Sequence, residues 1–202
     1  MLVVFDLDGT VVDSTRTLIG AHEAAWDSVG LPCPPDEAIL DLIGLPLVDI
    51  MRKLGPEQDP EALSEVYSLA YARLAPDHER LFDGMAELLA RPFRAAVATG
   101  KSKRGADRVV RQFGLEGRFE VVLGGDSVPR PKPNPDLLHA IMAATGTEDL
   151  VMVGDTTYDL EMAQAAGVRA IGVTWGHHSA ERLRQWAPVV DSVEALGRLL
   201  GV

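Results

Sequence analysis

The chain has 202 residues, a formal net charge of −11 at pH 7, and a composition that is 47 % hydrophobic and 24 % charged. These proportions are typical of a globular protein with a sizeable core. The acidic balance argues against broad binding to nucleic acid or to an anionic membrane, because both require clustered Lys and Arg. The single cysteine, Cys33, excludes an intrachain disulfide and fits a reducing cytoplasm, which we expect as the location.

Short apolar segments that end in polar or glycine residues predict the strands of a sheet. Their apolar character on both faces indicates a parallel sheet that is covered by helices on each side. We expect these strands at 2–5, 95–98, 120–123, 150–153 and 170–173.

Helical patterns alternate with these strands, which predicts an α/β fold with a doubly wound, Rossmann-like parallel sheet. Helices are expected over 105–113, over 160–166 and after Asn134, with Asn134 as the N-cap and Pro135 in the first turn. Ligands in such folds bind at the carboxyl ends of the strands.

The stretch 13–81 breaks this alternation, since its apolar spacing is helical throughout. We therefore predict an all-helical domain inserted into a core formed by residues 1–12 and 82–202. Prolines at 56, 60 and 76 are expected to interrupt the helices. The helices themselves are predicted at 18–29, 37–43, 47–54 and 61–74.

Asp6 and Asp8 directly follow the first predicted strand. Side chains alternate along a strand, so both carboxylates leave on the same side while Leu7 enters the core. Two carboxylates this close repel each other, and a bound cation or a proton would relieve them. Gly9 permits a sharp turn that brings backbone amides near an anion. A polar strand end with an Asx turn explains the same residues.

Asp155 and Asp159 lie in the segment 154–159, which follows an apolar strand and opens a helix. Asp155 is placed to supply a hard oxygen ligand for Mg²⁺. Asp159 falls in the first helical turn, where capping the helix or orienting a neighbour explains it as well as metal ligation does.

Lys132 and Thr99 add a positive charge and a hydroxyl to the same edge of the sheet. Lys132 lies between two prolines, which aim its ammonium at small entropic cost, although a stiff solvated turn has the same sequence. Thr99 and the Gly100 amide follow a strand and can hold phosphate oxygens at the next helix terminus. Lys101 can do the same, although a position in solvent is the favoured expectation for it.

These four segments, in this order, resemble the haloacid dehalogenase superfamily of phosphohydrolases. The resemblance spans the whole chain and rests on DLDGT at 6–10, Thr99 in AAVAT, Lys132 in RPKPNP and GDTTYD at 154–159. The segments DGTVVDS and KPNPD are most similar to the phosphoglycolate phosphatase-like branch. The helical insertion resembles the helical cap of that family.

The resemblance implies a mechanism. Asp6 would be the nucleophile that forms an aspartyl-phosphate, and Asp8 would be the general acid and then the general base. Mg²⁺ would be held by the Asp6 carboxylate, the Asp8 backbone carbonyl and Asp155.

The resemblance also assigns the phosphoryl-binding residues. Thr99, the Gly100 amide and Lys132 would hold the transferring group, and Asp159 would orient Lys132 or a metal-bound water. Many members have Asn or Ser where this chain has Gly100, so a backbone contact is implied there.

Substrate choice in this branch is encoded by the cap. The segment 44–47 resembles a cap loop that approaches the active site in relatives, and the segment 175–178 is expected to form a rim loop. Four cap residues are candidates for a substrate carboxylate, although the surface is the favoured position of each: Arg16, His22, Arg52 and Lys53.

The expected function is Mg²⁺-dependent hydrolysis of a small phosphorylated metabolite such as phosphoglycolate, by a monomer or homodimer without nucleic-acid or membrane partners. A sugar-phosphate mutase of the β-phosphoglucomutase type would share Asp6 and Asp8, but mutases of this branch tend to have DGV where this chain has DGT. A dehalogenase needs neither Mg²⁺ nor an acid at Asp8, and a binding protein needs none of these groups.

Overall fold

A computed structural model describes residues 1–55 and 57–202 of the chain; Pro56, one of the expected helix breakers, lies outside the described residues. The strands in the described part are β1 (Leu2–Phe5), β2 (Val12–Asp13), β3 (Arg80–Leu81), β4 (Arg94–Ala98), β5 (Val122–Leu123), β6 (Leu150–Gly154), β7 (Arg169–Val173) and β8 (Val189–Val190). Six of them form a parallel sheet in the order β5-β4-β1-β6-β7-β8, and β2 pairs antiparallel with β3. The predicted fold class is confirmed.

Helices in the described part are α1 (Thr15–Asp27), α2 (Asp36–Leu40), α3 (Leu47–Leu54), α4 (Pro60–His78), α5 (Met85–Leu89), α6 (Lys103–Gln112), α7 (Asp136–Thr145), α8 (Thr157–Ala165), α9 (Ala180–Leu183) and α10 (Val193–Leu200), with a 3₁₀ turn at Gly125–Ser127. None of the helices described combines the length and the apolar character that crossing a membrane would demand.

Strand β1 shows why the sheet is apolar on both faces. Val3 and Phe5 pack on one side with residues of α5, α6 and α10, while Leu2 and Val4 pack on the other with residues of α7 and α8. All four side chains are almost fully buried. Successive side chains of a strand point to opposite faces, so only a sheet covered twice can bury a continuous apolar run.

Helices α1 to α4 lie between β2 and β3 and share a separate hydrophobic cluster, which includes Leu18, Trp26, Met51 and Leu63. The short β2–β3 ladder joins this helical region to the sheet, and Arg80 forms an ion pair with Asp13 across it at 2.7 Å. The helical cluster is therefore distinct from the two clusters that cover the faces of the sheet.

Two predictions that concern prolines differ from the structure. Helix α4 continues through Pro76, because the hydrogen bond that a proline lacks falls in the final turn of a helix ending at His78. Pro135, and not Asn134, is the N-cap of α7, since the Asn134 side chain donates to the Pro131 carbonyl at 3.1 Å instead.

Helix α4 offers a test of the helical cluster with a control in the same element. Leu63 is 1 % exposed, whereas Leu69 is 77 % exposed. We expect Leu63→Ala to lower the free energy of unfolding by about 2–5 kcal/mol, because it leaves a cavity. Leu69→Ala should change it by no more than about 0.5 kcal/mol. Urea denaturation of both variants measures the difference, and equal losses would contradict the packing of α4 described above.

Candidate active site

The carboxyl ends of three neighbouring strands bring the predicted residues together. Asp6 follows β1, Thr99 follows β4 and Asp155 follows β6, and the two outer strands pair with β1 on either side. The Asp6 amide donates to the Val153 carbonyl at 3.0 Å, which continues the pairing of β1 with β6 and fixes the position of Asp6 at the edge of the sheet. All three side chains are buried. The register of the sheet therefore converts residues distant in sequence into one cluster.

Lys132 is the buried cation of this cluster. Its ammonium lies 3.0 Å from Asp6 Oδ1 and 2.5 Å from Asp159 Oδ1, and its side chain is inaccessible to solvent. Burial alone would lower the pKa of Lys132, but the carboxylates of Asp159 and Asp6 raise it above its usual value. Lys132 is therefore a permanent ammonium, positioned between two carboxylates.

Asp159 positions Lys132. Its Oδ1 faces the ammonium, and its Oδ2 accepts hydrogen bonds from the Thr156 backbone amide at 3.1 Å and the Thr156 hydroxyl at 2.8 Å. One ligand atom each of Asp6, Asp155 and Asp159 lies within 4.8 Å of the others, so a cation could contact all three. Because Asp159 Oδ1 already faces the Lys132 ammonium, which would repel a bound cation, the geometry favours the orienting role over metal ligation.

Asp6 is the least compensated carboxyl group of the cluster. Its Oδ1 has no hydrogen-bond donor among the described residues, although the Lys132 ammonium forms an ion pair with it. Burial raises the pKa of Asp6 to about 7, and the charge of Lys132 opposes this rise. A further positive charge at this carboxylate would keep it ionised at neutral pH.

Asp155 is held by two partners. The Thr10 hydroxyl donates to its Oδ1 at 2.9 Å, and the backbone amide and Nδ1 of His177 lie 2.8 Å from its Oδ2. Burial would raise the pKa of Asp155, but His177 holds it below its usual value. The sequence reasoning missed His177, which it placed in a rim loop, whereas its side chain is only 2 % exposed.

Gly9 is required where these groups converge. Its φ is +76°, which only glycine adopts readily, and a Cβ there would overlap Asp155 Oδ2 and His177 Nδ1. The chain after Asp8 can therefore turn next to the buried carboxylate only because position 9 has no side chain.

Asp8 is anchored by an ion pair that the sequence did not reveal. Lys101 Nζ lies 2.8 Å from Asp8 Oδ2, and the Ser14 hydroxyl donates to Oδ1 at 2.6 Å. Burial would raise the pKa of Asp8, but Lys101 and Ser14 hold it below its usual value. The expectation of a solvated Lys101 is wrong, since its side chain is 12 % exposed.

A chain of polar contacts continues from Lys101 to the helical region. Lys101 donates to the Tyr71 hydroxyl at 3.0 Å, and Tyr71 donates to Glu79 at the end of α4. Glu79 also accepts two hydrogen bonds from the guanidinium of Arg108 in α6, each at 3.1 Å. These contacts tie α4 to α6 next to Asp8.

The glycine at position 100 has a steric explanation. A Cβ at this position would overlap the Gly44 backbone carbonyl and come within 2.9 Å of the Leu45 carbonyl oxygen. The segment 44–47 therefore reaches the loop after β4, as the resemblance implied. It lines a cavity of about 580 Å³ together with Asp6, Asp8 and Thr99.

The four candidates for a substrate carboxylate are absent from the described wall of this cavity. Arg52 pairs with Asp49 at 2.7 Å, and Arg16 and Lys53 are exposed. His22 is fully buried, contrary to the surface position expected, with its ring centroid 4.8 Å from that of Tyr67.

The Lys132 cluster makes a prediction about stability. Lys132→Met should lower the free energy of unfolding by about 3–5 kcal/mol, because it leaves buried carboxylates without a cation. The double variant Lys132→Met/Asp159→Asn should lose less, since it removes one negative charge as well. Urea denaturation at pH 8 tests this, and an equal loss in both variants would show that charge compensation is not the cause.

The chain is similar in sequence to known proteins. The family model described as haloacid dehalogenase-like hydrolase matches residues 3–173. Over 201 residues the chain is 35 % identical to the probable phosphatase IndB of Dickeya dadantii, covering 94 % of this chain and 87 % of that protein. It is 33 % identical to the tyrosine-protein kinase PtkA of Mycobacterium tuberculosis, covering 100 % and 72 %. It is 34 % identical to the phosphoglycolate phosphatase of Neisseria meningitidis, covering 91 % and 84 %.

Solved structures show the same similarity. The structure of PtkA from Mycobacterium tuberculosis superposes with a TM-score of 0.83 and 32 % identity, covering 100 % of this chain and 98 % of that one. A predicted phosphatase from Clostridium acetobutylicum superposes with a TM-score of 0.88, covering 100 % and 98 %; at 23 % identity it shows the fold alone.

Proposed function

This chain belongs to the haloacid dehalogenase-like hydrolases, and we propose that it is a Mg²⁺-dependent phosphatase that cleaves a small phosphomonoester through an aspartyl-phosphate on Asp6. The observation that carries the proposal is a buried, undercompensated carboxylate that opens onto the cavity beside Thr99 and the Lys132 ammonium. We further propose that residues 1–12 and 82–202 act as the catalytic core and 13–81 as the cap.

The donor set fits a hard divalent cation. Asp6 and Asp155 supply buried carboxylate oxygens, and Asp6 Oδ1 has no hydrogen-bond donor in the described part of the chain. Oxygen ligands of this kind suit Mg²⁺. We assign the Asp6 carboxylate, the Asp8 backbone carbonyl and Asp155 as its ligands. When bound, Mg²⁺ would neutralise the negative charge that otherwise separates Asp6 from a phosphate.

In the first half-reaction an Asp6 oxygen attacks phosphorus, and the bond from phosphorus to the leaving oxygen breaks. Asp8 donates the proton that makes the leaving group an alcohol. Thr99 and the Gly100 amide hold the phosphoryl oxygens, and Lys132 offsets their charge. Asp8 is a carboxylate in the substrate-free protein, and a phosphate anion beside it raises its pKa toward the protonated form that this step uses.

In the second half-reaction water attacks the phosphorus of the aspartyl-phosphate. Asp8 takes a proton from that water, and the bond between phosphorus and the Asp6 oxygen breaks to release phosphate. The ion pair with Lys101 favours the carboxylate form of Asp8 that this step requires. Asp8 thus serves both steps from one position.

We propose a phosphoglycolate-like phosphomonoester, because the branch motifs and the phosphoglycolate phosphatase of Neisseria meningitidis agree. The single cysteine, free in the structure, supports the cytoplasm as the proposed location. The mutase alternative predicts an isomeric product without free phosphate.

Phosphate release from a panel of phosphate esters tests the proposed function. The panel includes phosphoglycolate, sugar phosphates and nucleotides, each with Mg²⁺ and with EDTA. We expect Mg²⁺-dependent release that Asp6→Asn abolishes, because an amide is a poor nucleophile. Asp6→Asn should remain folded by circular dichroism. Release that persists in this variant would refute the nucleophile assignment, and an isomer without phosphate would establish the mutase.

The metal assignment is tested by calorimetric titration with Mg²⁺. Asp155→Asn should weaken binding at least about 10²-fold, because it replaces a charged ligand. Asp159→Asn should weaken it by about tenfold or less, because this residue acts through Lys132. The opposite ranking would reverse the two roles, independently of any activity measurement.

A further inference from the structure

The cavity beside Asp6 continues along α6, and we propose that Arg104 and Arg111 of this helix bind a second anionic group on the leaving group of the substrate. The inference rests on the proposed function and names the substrate class of the same site. That class is a phosphomonoester whose leaving group has an apolar body and ends in an anionic oxygen group such as a carboxylate.

Three arginine residues of helix α6 line this cavity. Arg104, Arg108 and Arg111 are spaced four and three residues apart, which places them on one face of the helix, and all three line the cavity. With a rise of 1.5 Å per residue, Arg111 lies about 10 Å beyond Arg104 along the helix axis. The row leads away from Thr99, because α6 begins four residues after it.

Two of the four cationic residues that line this cavity already have partners, and the other two do not. Lys101 pairs with Asp8, and Arg108 pairs with Glu79. Arg104 and Arg111 are exposed, and neither guanidinium has a hydrogen-bond or ion-pair partner within the described ranges.

An acidic residue on the same wall is engaged elsewhere. Asp126 accepts a hydrogen bond from the Lys103 backbone amide at 2.7 Å, which occupies it at the N-terminus of α6. Two arginines without a partner among the described residues therefore line a cavity in a chain whose net charge is −11. Their planar donor arrays match carboxylate and phosphate oxygens, which supports an anionic ligand.

The opposite wall suits an apolar body. It is formed by the helical region, with Leu47, Ile50 and Tyr67 among its residues. The volume of about 580 Å³ falls in the range of sites that enclose drug-sized ligands. The two-carbon leaving group of phosphoglycolate would cover little of this wall, so a longer member of the same carboxylate-bearing class fits the cavity better. A longer leaving group would cover the apolar wall and place its terminal anion at Arg104 and Arg111.

The test compares 4-carboxyphenyl phosphate with its methyl ester, which has the same aromatic body without the negative charge. We expect kcat/KM of the wild type to be about tenfold higher for the carboxylate. The difference should lie mainly in KM, because the anion binds far from phosphorus in ground state and transition state alike. The ratio should fall toward one as ionic strength rises, since exposed charges are screened.

Substitutions test whether the preference for the carboxylate comes from Arg104 and Arg111. Arg104→Gln/Arg111→Gln should bring the ratio to about one. The matched control is Arg73→Gln/Arg184→Gln, which removes two exposed arginines outside the cavity and should keep the tenfold ratio. Both double variants change the net charge equally, so a general electrostatic effect would move both ratios together.

Failure of the anion site and failure of the phosphatase activity give different results in this assay. The anion site is overturned if the wild-type ratio of kcat/KM for the carboxylate over the methyl ester is near one. It is also overturned if a tenfold ratio remains in Arg104→Gln/Arg111→Gln or at high salt. Hydrolysis of the methyl ester would still support the phosphatase in each of these cases. Hydrolysis of phosphoglycolate without either aryl ester also overturns the extended substrate class alone. Failure to hydrolyse any ester of the whole panel overturns the proposed function itself.

Discussion

The site depends on the cost of holding four ionisable groups away from water at one edge of the sheet. An isolated buried charge is expensive, so each group needs a specific partner. Asp155 has His177 and Thr10, and Asp159 has Lys132 and Thr156. Asp6 shares Lys132 with Asp159, and its Oδ1 lacks a hydrogen-bond donor among the residues described. Burial therefore raises the pKa of Asp6 to about 7. Asp6, the carboxylate whose charge is least compensated, lines the cavity, where a bound cation can balance that charge and a phosphate can approach it.

Two contacts join the helical region to the loop and helix that follow β4. At Gly100 the chain gives up a side-chain donor, and the backbone of the segment 44–47 occupies the room that a Cβ would need. A second contact runs from Tyr71 through Glu79 to Arg108. One contact is backbone against backbone and the other is a buried ion pair. Together they bring an apolar wall over Asp6 without placing a new charge beside it.

Sequence reasoning succeeded where one local signal sufficed. The strands 2–5 and 150–153 are apolar on both faces, helix 47–54 has clear spacing, and the residues that follow each strand necessarily share an edge. It failed where partners are distant: Lys101 and His177 look like solvent residues until the fold supplies Asp8 and Asp155. Strands β2 and β3 have two residues each and carry no period to detect. His22 could have been found, because it shares the helical spacing of the buried Leu18, Ala21 and Ala25.

The division of labour between the two regions follows from where charge is placed. The segment from Thr99 to Arg111 is continuous. It carries the Thr99 hydroxyl that we propose binds the phosphoryl group, the Lys101 partner of Asp8 and the arginine row of α6. The cavity wall from the helical region contributes mainly apolar and hydroxyl-bearing side chains, among them Ile50 and Tyr67. A substrate with charge at both ends would therefore be bound through its charges by the core. The helical region would exclude water from between those charges, which strengthens both contacts because the local dielectric falls.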